Sequence, residues 1–221
     1  MDKKPVLIFD HDGTLHDSMY VFEPAVRAGE QWLKDKGYDV KPVEAKVISS
    51  CLGLNSFDMW EIFGYKADPQ LREELMEVIG KEVGRLLDTG IARWFDGTEE
   101  MLDVLKVQGY HMVILSNCEK NLANYYWNHF NMEKWFDKFY DCESYGFAPK
   151  TEIVKVILND YSGSGIMIGD RFNDLECARS ADIPFIGCAY GFSKEGELDD
   201  ADRIAGQPSD IPKKIKELAE T

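Results

Sequence analysis

Several things are scarce or missing in this 221-residue sequence, and each absence removes a class of function. No apolar run approaches the about 18 residues that a membrane span requires. The opening Met1-Asp2-Lys3-Lys4 runs straight into a strand and lacks a signal-peptide pattern, so the expectation is a cytoplasmic protein. Positive charge is short: 25 lysines and arginines face 40 acidic residues, a net charge of −15. Such a surface repels nucleic acid polymers and anionic membranes, and neither is an expected partner. A phosphate-bearing ligand would need a local cluster of cations. Cys51, Cys118, Cys142, Cys177 and Cys188 are odd in number, scattered, and never spaced Cys-x-x-Cys. That argues against a disulfide framework or a cysteine zinc site and for reduced core residues. Internal repeats and low-complexity tracts are absent too.

What is present is a large apolar fraction, 44% hydrophobic residues with 12% aromatic, enough for one sizeable core with an insertion. The buried-strand pattern Pro5-Val-Leu-Ile-Phe9 ends at Asp10-His-Asp-Gly-Thr14. From Ser18 to about Thr89 the spacing is helical, carried by Ala25, Val26, Gly29 and Leu33 and later by Leu71, Leu75, Ile79 and Leu86. Pro42 is expected in a first helical turn, and Gly37, Gly53 and Gly64 at helix ends. Beyond Gly90 strands and helices alternate. A helix capped by Thr98 is expected over 98–108, strands at 111–115, 166–169 and 184–187, and helices over 121–130, 152–160, 173–180 and 210–219. The fold class is therefore α/β, a doubly wound parallel sheet over 1–17 and 90–221 with an inserted all-helical cap over 18–89.

The chemistry gathers at strand ends. Asp10 and Asp12 close the first strand, Ser116 and Asn117 another, and Asp170 a third, with Asp174 one turn on. Parallel strands present such ends to one crevice. Period-two alternation would aim Asp10 and Asp12 to one face and His11 away. So many carboxylates repel one another unless a hard cation sits among them, and all-oxygen ligands point to Mg²⁺.

The ordered set Phe9-Asp-His-Asp-Gly-Thr-Leu15, Leu115-Ser-Asn117, Lys150 and Ile168-Gly-Asp-Arg-Phe-Asn-Asp174 resembles the four motifs of the haloacid dehalogenase superfamily of phosphotransferases. The resemblance covers almost the whole chain, includes the subclass with a small helical cap, and leans toward the phosphoglycolate phosphatase-like branch. It implies a Rossmann-like core and a Mg²⁺-dependent phosphatase for a small phosphorylated metabolite. Asp10 would be the nucleophile that forms an aspartyl-phosphate, and Asp12 the general acid and then base. That role needs a protonated Asp12, which crowding by carboxylates would favour. Asp10, the Asp12 backbone carbonyl and Asp170 would hold the metal, with Asp174 ordering its water shell. Ser116 and Lys150 would hold the phosphoryl group, together with the loop through Gly13 and Thr14 and with Asn117. Thr151 stands where the family usually has proline.

His11 occupies a position that is apolar in the family and is expected to point away from the metal, as a structural residue or facing the cap. His16 sits at the hinge, as a substrate contact or a surface residue, while His111 and His129 show no ligand spacing. Phe57, Met59, Trp60 and Phe63 read as cap core. Asp12 argues against the dehalogenase and phosphonatase branches. Phe22 stands where the sugar-phosphate mutases carry a cap histidine, twelve residues after Asp10, which favours hydrolysis over a β-phosphoglucomutase-like transfer. Phosphoglycolate, a sugar phosphate, a nucleoside monophosphate and pyrophosphate all remain open as substrates. The rivals are a non-catalytic phospho-acceptor, like a receiver domain, and a ligand-binding relative.

Overall fold

The structure, a computed structural model, describes residues 4–52, 69–161 and 163–220. The chain divides into two compact units, Asp17–Arg93 and Met1–His16 with Trp94–Thr221.

The first is helical among its described residues: α1 (Met19–Asp35), α2 (Ala45–Ser49) and α3 (Pro69–Asp88). The apolar spacing becomes one buried face on α1, including Ala25, Val26 and Leu33, and another on α3, including Leu75, Ile79 and Leu86. Gly29 is the point of closest approach. A Cβ there would lie 2.8 Å from the Ile79 side chain and 2.9 Å from that of Leu75, so close packing offsets the roughly 1 kcal/mol a helical glycine costs. Gly37 ends α1 as expected, at φ +89°, with the Tyr38 N–H donating to the Leu33 carbonyl. Pro42 does not open a helix. It lies in the coil before α2, because Arg27 donates to the Val43 carbonyl and the Val43 N–H donates to buried Glu30, which holds that segment extended. Gly53, Phe57, Met59, Trp60, Phe63 and Gly64 fall outside the described residues.

The second unit is a six-stranded sheet, β1 (Val6–Phe9), β2 (Met112–Ser116), β3 (Lys138–Asp141), β4 (Gly165–Gly169), β5 (Phe185–Cys188) and β6 (Arg203–Ala205). All pairings are parallel, in the order β3-β2-β1-β4-β5-β6. Its helices are α4 (Thr98–Val107), α5 (Lys120–His129), α6 (Lys150–Asp160), α7 (Phe172–Ser180) and α8 (Ile211–Ala219). β1 is central because Val6-Leu-Ile-Phe9 is apolar on both faces, and all four residues are buried. On one face Val6, Ile8, Val113 and Met167 pack with Ile153, Val154 and Ile157 of α6 and with Cys177 and Ala178 of α7. The doubly wound parallel fold expected from the alternation is the one observed.

One local expectation changes. Gly97, at φ +85°, is the N-cap of α4, because that turn needs a left-handed residue; Thr98 is the first helical residue, its buried hydroxyl without a hydrogen-bond partner among the described residues. The apolar Trp135 and Phe136 precede β3, and Phe136 packs edge-on to Phe9 with ring centroids 5.8 Å apart. The 184–187 segment becomes the last central strand, and an edge strand the sequence did not show, β6, pairs beyond it, three residues too short to show alternation. All five cysteines are free, and four are buried.

Candidate active site

β1 and β4 run side by side, with Phe9 opposite Ile168, and Phe9 is also opposite Ile114 of β2. The Asp10 N–H continues the ladder, donating to the Ile168 carbonyl at 2.8 Å. Asp10, one residue past that pair, and Asp170, two residues past it, therefore leave the same end of the sheet, at the strand-order switch where α/β folds hold ligands. Asp174 arrives from the first turn of α7, where its Oδ2 accepts the Arg171 N–H at 3.1 Å. Lys150 opens α6 and reaches across, its Nζ 2.6 Å from Asp10 Oδ1 and 2.7 Å from Asp174 Oδ1. All four side chains are buried.

The electrostatics follow from that burial. Asp10 is pushed up to about 7, by desolvation first and then by Asp174, against the pull of Lys150. Asp170 is raised well above the usual carboxylate range by burial and by Asp10 and Asp174. Burial disfavours the Lys150 ammonium, but Asp10 and Asp174 outweigh it and raise its pKa. One lysine thus pairs with two of three crowded carboxylates, and the crowding favours the protonated form at Asp10 and Asp170.

Carboxylate oxygens of Asp10, Asp170 and Asp174 lie within 4.8 Å of one another. The walls are backbone: at Gly13, φ +82°, a Cβ would overlap Asp170 Oδ2, and at Gly191 it would fall on the Gly13 carbonyl and 2.6 Å from the same oxygen. The Phe192 N–H fixes Asp170 by donating to Oδ2 at 2.6 Å, and the Thr14 hydroxyl stands 3.5 Å from Oδ1. Three buried carboxylates, in a cradle kept clear by two glycines, fit a hard divalent cation.

A sequence profile for haloacid dehalogenase-like hydrolases matches residues 7–188. The chain belongs to that family. Among its relatives is a 5'-nucleotidase from Pseudomonas aeruginosa, 26% identical over 208 residues, which span 88% of this chain and 86% of that protein. The fold is shared with a predicted phosphoglycolate phosphatase from Haemophilus somnus, at a TM-score of 0.81 and 19% identity over 96% of this chain and 98% of that one. It is shared as well with a predicted phosphatase from Clostridium acetobutylicum, at a TM-score of 0.78 and 21% identity over the full length of both.

Within this haloacid dehalogenase-like hydrolase, the sequence-derived site residues divide. Asp10, Gly13, Thr14, Lys150, Asp170 and Asp174 come together. Ser116 and Asn117 stand at the end of β2, where the Ser116 hydroxyl accepts the Cys118 N–H at 3.2 Å and the Asn117 carbonyl accepts the Cys142 thiol at 3.0 Å. Asp12 turns to the histidines, its Oδ1 3.1 Å from His16 Nδ1 and 3.5 Å from His11 Nδ1. His11 therefore does not point away from Asp12, because the strand ends at Phe9 and period-two alternation stops with it. Both imidazoles are fully buried. Nor do neighbouring carboxylates keep Asp12 protonated: burial raises its pKa, but His11 and His16 outweigh it and hold the group well below the usual range. Gly191 and Phe192, in the loop after β5, belong to the site as well, though no motif in the sequence singles them out. The Tyr190 hydroxyl, donating to the Thr14 carbonyl at 2.8 Å, ties that loop to the first motif.

Proposed function

We propose that this hydrolase is a Mg²⁺-dependent phosphatase that cleaves a small phosphomonoester through a phosphorylated Asp10. The observation that carries the reading is the Lys150 bridge between Asp10 and Asp174 beside Asp170, since it fixes one carboxylate oxygen of Asp10 and leaves the other for attack. Asp10 attacks phosphorus, the bond to the leaving oxygen breaks and the alcohol departs, and the phosphoryl group is held on Asp10 as an acyl-phosphate. Water then attacks the same phosphorus and restores the Asp10 carboxylate. Asp12 gives a proton to the leaving oxygen and takes one from the water. The histidines favour an ionised Asp12, and His16 Nδ1, 3.1 Å from Asp12 Oδ1, stands where it can pass a proton to and from that carboxylate. Lys150 offsets charge on the phosphoryl oxygens, with Ser116, Asn117, Thr14 and the backbone at Gly13 lining their place.

Asp10, Asp170 and the Asp12 backbone carbonyl would hold Mg²⁺, with Asp174 beside its water shell. When bound it supplies charge neutralisation at the phosphoryl group. The helical insertion over 18–89 serves as the cap that selects the leaving group. The 5'-nucleotidase relative puts nucleoside 5'-monophosphates first among substrates to test. Phosphate release from these, phosphoglycolate, sugar phosphates and pyrophosphate, each with Mg²⁺ and with EDTA, is the experiment. Metal-dependent release from a phosphomonoester is expected. Release from none of them overturns the reading.

A further inference from the structure

Beside the carboxylate cluster lies a second group of donors of different chemistry. His11, Asp12 and His16 bring two imidazole nitrogens and one carboxylate oxygen within 4.8 Å of one another. The loop that carries them is closed on itself, since the Leu15 and His16 N–H groups both donate to the His11 carbonyl and the Gly13 N–H donates to that of His16. His11 is the unexpected member. Its side chain is fully buried, and neither ring nitrogen has a hydrogen-bond partner among the described residues. Its ring is enclosed by Tyr126 at 4.4 Å, His16 at 5.0 Å and Phe139 at 5.7 Å between centroids. An aromatic box of this kind has no need of an imidazole: Nδ1 faces Asp12 Oδ1 at 3.5 Å, and Nε2, buried without a partner among the described residues, forfeits its hydration.

We infer that His11 Nδ1, Asp12 Oδ1 and His16 Nδ1 form a binding site for a zinc-class divalent transition ion, distinct from the Asp10–Asp170–Asp174 cluster. The distances fit. A tetrahedral ion with bonds of ~2.0–2.1 Å holds neighbouring ligand atoms ~3.3 Å apart. The two Asp12–histidine separations, 3.1 and 3.5 Å, bracket that value. Two nitrogens with one oxygen select Zn²⁺ and its neighbours over Mg²⁺, which prefers an all-oxygen octahedron. The histidines are buried, whereas Asp12 is 24% exposed, so the ion enters past Asp12 and water completes its coordination there. The ion also takes the Asp12 carboxylate out of proton transfer, so occupancy suppresses turnover. This last consequence rests on the phosphatase reading; the binding does not.

The test is a Zn²⁺ titration of the whole protein in excess Mg²⁺, followed by calorimetry, with Co²⁺ as a spectroscopic probe of nitrogen ligation. Wild type, His11→Phe, His16→Asn and Asp170→Asn are compared, after circular dichroism has confirmed that each is folded. One equivalent of Zn²⁺ is expected, weakened at least about tenfold by either histidine substitution and retained in Asp170→Asn. Binding that survives both histidine substitutions, or that disappears with Asp170→Asn alone, overturns the site. If His11→Phe fails to fold, His16→Asn and the Co²⁺ spectrum decide. Histidine-dependent Zn²⁺ binding that leaves phosphate release unchanged overturns the inhibitory consequence. Histidine-dependent binding in a protein that hydrolyses no phosphomonoester supports the site and overturns the phosphatase reading instead.

Discussion

Lys150 Nζ lies 2.6 Å from Asp10 Oδ1, across 140 residues of chain. The lysine opens α6 and the aspartate ends β1, so the contact forms only when the sheet has assembled. Lys150→Met removes the one ammonium between Asp10 and Asp174 and leaves buried carboxylates facing each other. Stripping one partner from a buried pair costs about 3–5 kcal/mol. Urea denaturation in EDTA is expected to show a loss of that order, partly recovered in Mg²⁺, and phosphate release should fall with it. An unchanged denaturation midpoint would place the ammonium in solvent.

Asp10→Asn separates stability from chemistry. Burial and Asp174 already disfavour the Asp10 charge, so an amide there relieves repulsion, and thermal stability in EDTA is expected to hold or rise. Turnover should fall at least about 10³-fold, because no carboxylate remains to attack phosphorus. Paired melting and phosphate-release measurements check both halves, and retained turnover removes Asp10 as nucleophile.

Gly191 touches the site only through its lack of a side chain. A Cβ would fall on the Gly13 carbonyl and 2.6 Å from Asp170 Oδ2, so Gly191→Ala must displace Asp170 or the first-motif loop. A shift of about 1 Å in a catalytic group costs about 10²-fold in rate. Reduced phosphate release with a raised Mg²⁺ requirement is the expected signature. A change in neither would show that the loop yields freely.

The sheet was legible because burial on both faces writes itself into composition. Val6-Leu-Ile-Phe9 and Ile166-Met-Ile168 read as covered parallel strands, and the acids following them lie where a switch point puts them. β6 was not, since three residues at an edge carry no period and Ile204 is exposed. The carboxylates and Lys150 were legible because their motifs are local to strand and helix ends. What the sequence hid were contacts made by backbone or by absence, such as the Phe192 N–H on Asp170 and the bare Cα of Gly191. The direction of the His11 ring was hidden too, because it depends on where the strand stops.

Asp202 gives a pH-dependent test away from the site. Its carboxylate accepts the Phe185 N–H at 2.8 Å and the Arg179 guanidinium at 2.8 Å, tying the start of β5 to the loop before β6 and to α7. Burial pushes its pKa up, but Arg179 and the Phe185 N–H outweigh it, and the pKa lies below the ordinary 3.8. A depressed carboxylate stabilises the fold above the unfolded value, and that contribution is lost as pH falls through the folded one. Since the side chain is about a third exposed, the effect is screened and stays within about 1 kcal/mol. Asp202→Asn is therefore expected to lower the melting temperature slightly at pH 7, with the gap to wild type closing as the pH drops below the ordinary value of 3.8. Parallel thermal melts across that range check it. A gap that stays constant into acid would mean the two hydrogen bonds, rather than the charge, hold β5 in place.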